Sequence, residues 1–347
     1  MERVLNNVEC CSAIEMLSNL PDDVIHCCVT DPPYGIGFMN NGWDRELPNV
    51  PTWREVHRVL KPGGYVLAFG ATRTYHRMVV ALEDGGFEVR DMIAWIFSTG
   101  FPKSVNLGER ISKQAGTEAG TRWAGWGTAL KPAVEPIVLA RKPLIGKIAE
   151  NVVQFGTGGL NVDRCRVPIC EDDDIFAKNP HTKGGFGHGN AHVYGKSSGS
   201  PAYDPGAGRW PANFVHDGSA AVLELLGDND GNNAARFFYC AKASSAERGK
   251  DNNHPTVKPI ALMEYLISLV CPPHGIVLDP FCGSGSTLIA CENLGVDWVA
   301  CDMDAESVAI AKRRLERWQP TEKNSKRHWT NNKRPKQQET LFDPTNT

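Results

Sequence analysis

The residues with the clearest chemical potential are Asp31, Pro32, Pro33 and Tyr34, which directly follow an apolar run that predicts a strand over residues 25–30. The two consecutive prolines fix the backbone φ angle and remove two N–H donors, so the carbonyl groups around them are available as oriented acceptors. A carboxylate, an oriented carbonyl and an aromatic ring together suit chemistry on a planar amine. An ordinary turn at the end of a strand has the same composition, because Asp-Pro is a common turn starter.

A second motif lies far along the chain, where Asp-Pro-Phe-Cys-Gly-Ser-Gly-Ser-Thr occupies residues 279–287 after a short apolar run. The apolar spacing that follows predicts a helix beginning at Ser286 or Thr287. Gly283 and Gly285 allow the backbone to approach a ligand closely, and the free N–H groups at a helix start favour a carboxylate or a phosphate. The segment is therefore typical of a cofactor-binding turn between a strand and a helix.

A further predicted strand ends in Asp302, near the position at which nucleotide-binding folds place an acid for the ribose hydroxyls. A dinucleotide fingerprint requires a third glycine close to position 288, and this chain has Leu288 there. The pattern therefore argues against NAD or FAD as the cofactor and against a dehydrogenase.

Together the two motifs resemble those of the DNA amino-methyltransferases that use S-adenosylmethionine. Because residues 31–34 precede the Phe-x-Gly-x-Gly motif, the order is similar to that of the β class. The resemblance covers most of residues 1–318 and implies an α/β, Rossmann-like methyltransferase fold with a mostly parallel, circularly permuted sheet and an inserted target-recognition region. The chain departs from the family at residues 8–11, Val-Glu-Cys-Cys, where members often carry Gly-Asp beside the cofactor adenine, so the adenine contacts stay open.

The resemblance implies that Asp31, Pro32 and Tyr34 are catalytic. Asp31 and the Pro32 carbonyl would accept the two N–H bonds of an exocyclic base amine, and Tyr34 would stack on the flipped-out base. For the methionine end of S-adenosylmethionine, the resemblance implies contacts with Asp279, Phe281, Gly283 and Gly285, and with the amides of Ser286 and Thr287 near its carboxylate. It assigns the ribose hydroxyls to Asp302 and brings the segment with Lys258 against the cofactor.

The function implied is methylation of adenine-N6 in double-stranded DNA, because Asp at position 31 favours adenine by resemblance. Cytosine-N4 methylation is the nearest alternative, since cytosine also presents an exocyclic amine. Methylation of a protein glutamine is more distant, because those relatives place the cofactor motif first. A DNA-binding protein without catalysis would not need the full set of motif residues. The resemblance leaves room for a homodimer and for a cognate restriction endonuclease as partners.

Composition sets limits on partners and compartment. The net charge of −3 over 347 residues lacks the basic signature of a protein that coats nucleic acid, so DNA contacts must be local. No apolar run is long enough to span a membrane and none resembles a signal peptide, so we expect a cytoplasmic protein. The 11 cysteines include no C-x-x-C spacing, so we predict reduced thiols and no metal site. The candidate DNA-contacting residues are Arg164, Arg166, Arg209 and Arg236.

The chain divides into four predicted parts. Residues 1–142 form the catalytic half of the methyltransferase domain, and residues 241–318 form the cofactor-binding half. Between them, residues 143–240 are rich in glycine, aromatic and basic residues and form the predicted target-recognition region, although a surface loop has the same composition. Residues 319–347 are polar and lysine-rich, which predicts a disordered basic tail. The segment 100–128 is either a mobile lid or an ordered insertion.

Overall fold

The computed structural model describes residues 4–37, 44–100, 104–167, 208–226, 238–240 and 257–318. Its strands, in chain order, are β1 (Val8–Cys10), β2 (Ile25–Thr30), β3 (Leu60–Phe69), β4 (Glu88–Ile96), β5 (Val134–Arg141), β6 (Phe214–His216), β7 (Tyr239–Cys240), β8 (Ile276–Asp279) and β9 (Asp297–Asp302). The helices are α1 (Ala13–Ser18), α2 (Val50–Val59), α3 (Tyr75–Asp84), α4 (Leu107–Ala115), α5 (Thr117–Thr121), α6 (Ile148–Phe155), α7 (Ala220–Leu225), α8 (Ile260–Val270), α9 (Ser286–Leu294) and α10 (Ala305–Arg317). A 3₁₀ turn spans Asp163–Cys165.

The described strands form one sheet in the order β1-β9-β8-β2-β3-β5-β4-β6-β7. Both neighbours of β5 pair with it in antiparallel fashion, and every other pairing in the sheet is parallel. The predicted α/β fold with a mostly parallel sheet is thus confirmed. The late strands β8 and β9 lie between β1 and β2, which is the strand order expected of a circularly permuted sheet.

Apolar side chains cover both faces of the sheet, as a parallel sheet requires. In β2, Cys27 and Val29 face one core together with the buried residues of α8 and α9. Ile25 and Cys28 face a second core, which is filled from α1, α2 and α3. The continuous apolar character of β2 therefore reflects burial on both sides and not a half-exposed strand.

The strand order reverses between the parallel neighbours β8 and β2. From β2 the chain passes to β3 on one side, whereas from β8 it passes to β9 on the other. Open α/β sheets bind ligands in the crevice outside the carboxyl ends of the strands at such a reversal. The register pairs Cys27 with Val277 and Cys28 with Leu278, so the segments that follow the two strands emerge side by side.

The local predictions hold in their essentials and differ at the ends of elements. The strand predicted over 25–30 is β2. The alternating apolar pattern of residues 1–142 also predicts a helix over 53–60 and a strand over 65–69, and the helix is α2, which begins and ends earlier. Asn49 caps α2 by accepting a hydrogen bond from the Thr52 N–H, and Pro51 in the first turn suits a helix start. The strand predicted over 65–69 is longer as β3, because Leu60 already pairs with Ile25 across an irregular register.

Specific side-chain contacts accompany the helices in two regions for which the sequence predicted no helix. Helix α6, which the sequence did not predict, is anchored by the fully buried Asn151, whose amide donates to the carbonyls of Pro62 and Thr157 at 2.9 Å each. Residues 104–128 form α4 and α5, and the rings of Trp123 and Trp126 meet edge to face at 5.2 Å. This agrees with the interpretation of the segment as an ordered insertion.

Strands β6 and β7 extend the main sheet beyond β4, so part of the predicted recognition region shares the sheet of the catalytic half. The predictions for Arg236, for the tail 319–347 and for much of the recognition region 143–240 lie outside the described residues. The domain boundaries stay predictions. Within the described residues, no helix combines the length and apolar character that a membrane crossing requires.

Candidate active site

Asp31 lies directly beyond the carboxyl end of β2, and a set of short hydrogen bonds holds the loop that carries it. The Tyr34 hydroxyl donates to Asp31 Oδ1 at 2.6 Å. The backbone N–H groups of Tyr34 and Gly35 donate to Oδ1 of the buried Asp44 at 2.6 and 3.1 Å, and the Thr74 hydroxyl donates to the Tyr34 carbonyl at 2.7 Å. The carboxylate of Asp31 and the ring of Tyr34 are therefore fixed relative to each other.

An ammonium group bridges this loop to a second carboxylate. Lys258 Nζ lies 2.6 Å from Asp31 Oδ2, 3.2 Å from Glu135 Oε2 and 3.1 Å from the Tyr34 hydroxyl oxygen. It also sits over the Phe69 ring, 4.8 Å from its centroid. A lysine has three N–H donors, so these three oxygens account for all of them.

Burial shifts the titration of this cluster. It raises the pKa of the Glu135 carboxyl, and the Lys258 ammonium offsets that effect only in part. Burial lowers the pKa of Lys258, but the carboxylates of Asp31 and Glu135 outweigh it and raise that pKa above its usual value. Burial and the same two carboxylates raise the pKa of Tyr34 well above its ordinary range. At neutral pH the cluster therefore contains an ammonium ion and a neutral phenol.

The glycine-rich turn follows β8 as predicted, and α9 begins at Ser286. Gly283 and Gly285 have φ angles of +50° and +83°, in the left-handed region that favours glycine. A Cβ at Gly285 would lie 3.0 Å from the Cβ of Ala311 on α10. Both glycines are thus required by backbone conformation, and Gly285 is required by packing as well.

Asp279 connects the glycine-rich turn to strand β2. Its Oδ1 accepts hydrogen bonds from the Thr30 hydroxyl at 2.7 Å and from the Phe281 N–H at 3.2 Å, and the Thr287 hydroxyl also bonds to its carboxylate. Because it is almost completely buried, its pKa is raised to about 6. The last residue of β2 and the start of the turn are therefore tied together through one carboxylate.

Two further residues, Asp302 at the end of β9 and Arg314 on α10, hold the turn through hydrogen bonds. Asp302 Oδ2 accepts from the Gly283 N–H at 2.8 Å. Arg314 donates from Nη1 to the Ser284 carbonyl at 2.6 Å, to the Ser284 hydroxyl at 3.2 Å and to the Ser286 hydroxyl at 3.4 Å. The turn is thus clamped by one carboxylate and one guanidinium group.

A cavity of about 250 Å³ opens beside this turn. Its walls combine the carboxylate residue Asp302 with apolar side chains and with the start of α1, and Pro33 brings the catalytic loop to the same cavity. The lining residues are Ser12, Ala13, Ile14, Pro33, Thr52, Pro280, Phe281, Asp302, Met303 and Ser307. The cavity therefore connects the glycine-rich turn with the loop that carries Asp31.

Comparison with known proteins identifies this arrangement. The family model described as DNA methylase, of the N6/N4 type, matches residues 25–313, which span both motifs and the region between them. The chain belongs to the N6/N4 DNA methylase family. It is accordingly an S-adenosylmethionine-dependent DNA methyltransferase, and its substrate is DNA.

Individual members of the N6/N4 DNA methylase family match over most of their length. The type II methyltransferase M.HindIII of Haemophilus influenzae is 26% identical, covering 86% of this chain and 91% of that protein. M.HpaI of Haemophilus parainfluenzae, also a type II methyltransferase, is 24% identical over 88% of this chain and 73% of that protein. Among solved structures, the M1.HpyAVI–SAM complex is 20% identical and covers 89% of this chain and 99% of that chain, with a TM-score of 0.44.

The cavity fits the cofactor of this methylase family. S-adenosylmethionine combines a flat adenine, a ribose with two hydroxyls and a cationic methionine end. The cavity offers the apolar side chains of Ile14, Phe281 and Met303 and the carboxylate of Asp302, which suit the base and the hydroxyls, respectively. The left-handed glycines beside the cavity keep the turn free of side-chain bulk.

Three of the four arginines predicted for DNA binding lie in the described residues, and all three are engaged within the methylase chain. Arg164 Nε donates to the Ser268 hydroxyl at 3.3 Å. Arg166 pairs with Asp163 at 2.8 Å and lies over the Trp210 ring. The backbone of Arg209 forms an isolated antiparallel bridge with Val167. These contacts anchor the entry to the predicted recognition region, and DNA binding by the arginines stays a prediction.

Sequence reasoning missed several residues of the methylase site. Glu135 stands at the start of an apolar segment, residues 135–139. Nothing in that segment indicates that β5 runs antiparallel and so brings its first residues to the carboxyl ends of its neighbours. Asp44 and Thr30 carry no motif, and their contacts depend on tertiary structure. The start of α1 lines the cavity and directly follows residues 8–11, where the chain departs from the family pattern. The sequence therefore indicated this segment as a place of cofactor contact but not the residues that line the cavity.

Proposed function

We propose that the chain transfers the methyl group of S-adenosylmethionine to the exocyclic N6 amine of adenine in a flipped-out base of double-stranded DNA. The observation that supports this most directly is the position of Asp31, which lies next to Tyr34 at the reversal of the sheet and one proline away from the cofactor cavity. The choice of adenine rests on the aspartate at position 31. The family model covers both N6 and N4 amines, so cytosine-N4 is the alternative that the experiment must separate.

The role proposed for Asp31 follows from the weakness of the nucleophile. The lone pair of an exocyclic amine is delocalised into the ring, and an ordinary aspartate with a pKa of about 3.9 is far too weak a base to deprotonate the amine first. If Asp31 accepts one N–H and the carbonyl of the buried Pro32 accepts the other, the nitrogen moves toward tetrahedral geometry. Its lone pair then points away from the ring, and the Asp31 charge stabilises the developing positive charge on nitrogen.

Tyr34 is proposed to hold the base outside the helix. Flipping a base costs a few kcal/mol, and stacking on an aromatic ring returns about 1–3 kcal/mol per base. The hydrogen bonds that fix the Tyr34 backbone and hydroxyl reduce the freedom that this ring would lose on binding. A preorganised ring therefore offsets most of the flipping cost.

For the cofactor, we propose that Asp279, Phe281, Gly283 and Gly285 shape the site for the methionine end. When bound, S-adenosylmethionine supplies an electrophilic methyl group on a sulfonium ion. The amides of Ser286 and Thr287 at the start of α9 face the cofactor carboxylate in this proposal, and Asp302 takes the ribose hydroxyls. Lys258 is assigned to the cofactor only by resemblance, and its contacts with Asp31 and Glu135 favour a role on the catalytic side.

Local basic residues are proposed to contact the DNA backbone, because the net charge of −3 gives no general attraction to nucleic acid. Arg164, Arg166, Arg209 and Arg236 are the candidates. A homodimer and a cognate restriction endonuclease are further proposals. Sedimentation of the protein with and without duplex DNA tests the first of these.

The decisive experiment incubates the protein with labelled S-adenosylmethionine and unmethylated DNA of mixed sequence, followed by digestion and mass spectrometry of the nucleosides. Asp31→Ala is compared with Asp84→Ala, which removes an exposed carboxylate at the end of α3. N6-methyladenine formed by the wild type and by Asp84→Ala, but not by Asp31→Ala, supports the proposal. Methylcytosine identifies the alternative, and cofactor binding without any product identifies a DNA-binding protein that lacks catalysis.

A further inference from the structure

A second carboxylate lies behind Asp31, on the antiparallel strand of the sheet. Because β5 pairs with β3 through Ile137 and Phe69, its earlier residues extend beyond the carboxyl end of β3 and into the crevice. Glu135 is the side chain placed there, 24% exposed, with its Oε2 3.2 Å from Lys258 Nζ. None of the roles proposed for the motif residues uses this carboxylate.

The chemistry of the transfer leaves a proton to be removed. After the amine attacks the methyl group, the nitrogen carries both of its original hydrogens and a positive charge, and one hydrogen must leave as a proton. Asp31 is the nearest acceptor, yet its two oxygens already accept from the Tyr34 hydroxyl and from Lys258. Turnover requires Asp31 to return to its ionised form, so the proton needs a route away from it.

Lys258 supplies such a route because it touches both carboxylates. Its Nζ is 2.6 Å from Asp31 Oδ2 and 3.2 Å from Glu135 Oε2. A concerted shift breaks the O–H bond on Asp31 and forms an N–H bond on Lys258, while a different N–H bond of Lys258 breaks and an O–H bond forms on Glu135. Lys258 remains an ammonium ion throughout, Asp31 becomes a carboxylate again and Glu135 becomes a neutral acid.

We propose that Glu135 receives the amine proton from Asp31 through Lys258 and releases it to solvent. The inference rests on the proposed function, because it requires an amine substrate at Asp31. Glu135 acts through another residue and is therefore a relay residue that does not touch the base. The partial exposure of its side chain gives the proton an exit.

The surroundings of Glu135 favour this role. The charged and titratable groups that face it are Lys258, Asp31 and Tyr34. Its register neighbour on β4 is Trp95, which carries no charge. Burial raises the pKa of Glu135, so it holds a proton more readily than an exposed glutamate does. An acceptor of this kind works only while it is ionised, so the transfer rate should fall as the pH drops through its pKa.

The test is the pH dependence of single-turnover methyl transfer, with saturating S-adenosylmethionine and unmethylated DNA of mixed sequence. We expect Glu135→Gln to lower the rate by at least about tenfold and to shift the acidic limb of the profile to lower pH, with the affinities for cofactor and DNA unchanged. Glu135→Asp should restore part of the rate. Glu83→Gln, which neutralises an exposed glutamate on α3, should behave like the wild type.

Three results would overturn the relay: a wild-type rate in Glu135→Gln, an acidic limb that stays at the wild-type pH in that variant, or a loss expressed only as weaker binding of cofactor or DNA. Thermal unfolding and cofactor binding of each variant separate a chemical effect from misfolding, and Glu135→Asp is measured if Glu135→Gln fails to fold. The proposed function is tested separately by Asp31→Ala. If the wild type forms no N6-methyladenine, the proposed function is wrong; if Asp31→Ala still transfers methyl groups, the role proposed for Asp31 is wrong. An N6-methyladenine product, an inactive Asp31→Ala and a normal Glu135→Gln together reject the relay alone.

Discussion

Replacing Lys258 by methionine tests whether the ammonium group holds the two carboxylates of the site together. The side chains of Lys258, Asp31 and Glu135 are 9%, 20% and 24% exposed, so the cluster is substantially shielded from water. At a separation of about 3 Å and an effective permittivity of about 20, each ion pair is worth roughly 5 kcal/mol before desolvation is subtracted. Removing one partner of a buried pair costs about 3–5 kcal/mol in practice. The exposure of both carboxylates places the expected loss at the lower end, about 3 kcal/mol.

The pH dependence of that loss distinguishes electrostatics from packing. Without Lys258, the negative charges of Asp31 and Glu135 repel each other, and the pKa of Glu135, which burial already raises, rises further in the folded variant. A group with a raised folded pKa contributes stability at low pH that is lost as the pH rises. The variant should therefore be destabilised more at pH 8 than at pH 5, by about 1 kcal/mol or more.

Urea unfolding of the wild type, Lys258→Met and Lys113→Met at the two pH values measures this directly. Lys113 is exposed on α4, so its replacement changes the net charge by the same amount without touching the site. A loss below about 1 kcal/mol in Lys258→Met, or an equal loss at both pH values, would refute the electrostatic reasoning. Cofactor affinity measured on the same samples tests the assignment of Lys258 to the cofactor, since a purely catalytic role leaves that affinity unchanged.

Three further predictions concern the cofactor turn and the acid limit of stability. Gly285→Ala should cost more than about 1–2 kcal/mol of stability and weaken cofactor binding, because its φ is +83° and a neighbouring atom lies 3.0 Å from the added Cβ. Gly156→Ala, with a φ of +73° and nothing within 4 Å, should cost only the backbone strain of about 1–2 kcal/mol. Equal cofactor affinities of the two variants in calorimetry would contradict this prediction. Arg314→Ala should weaken cofactor binding about tenfold, because it releases the glycine-rich turn. Arg313 is exposed next to it, so Arg313→Ala should leave the cofactor affinity unchanged. A similar loss of affinity in both variants would indicate an effect of net charge instead. Burial lowers the pKa of His26 from 6.5 to about 4, so His26 contributes stability above pH 6.5 that falls by roughly 3 kcal/mol as the pH drops to 4 in urea unfolding, and His26→Asn should flatten that decline.

The sequence predicted the two loops of the site because each follows a strong local pattern. An apolar run followed by Asp31 and two prolines predicts a strand end, and an apolar run followed by Gly283 and Gly285 predicts a strand, a turn and a helix. Parallel strands place their carboxyl ends on one edge, so a parallel sheet brings the two loops together. The hydrogen bond between Thr30 and Asp279 joins them in the structure.

The rest of the site depends on information that local patterns do not carry. Strand direction is absent from the apolar segment of β5, so Glu135 gave no sign that it reaches the catalytic edge. Asp44 accepts from the backbone of the catalytic loop, and no motif marks a carboxylate that caps backbone N–H groups. Helix α6 carries apolar residues at helical spacing, but Ile148 and Val152 are exposed. The buried Asn151 anchors the helix through its hydrogen bonds, and local patterns do not reveal that contact.

If Asp31 has the role proposed for it, its occupied oxygens restrict how a base amine can approach. Each carboxylate oxygen has two lone-pair positions, and the Tyr34 hydroxyl and the Lys258 ammonium each take one. An incoming N–H must therefore bind a remaining position or displace Lys258. Displacement leaves Lys258 paired with Glu135, which already lies 3.2 Å away, so the ammonium does not lose its counter-ion when the base arrives. The second carboxylate thus lowers the electrostatic cost of opening Asp31 to substrate, because the positive charge moves between two acceptors and never becomes unpaired.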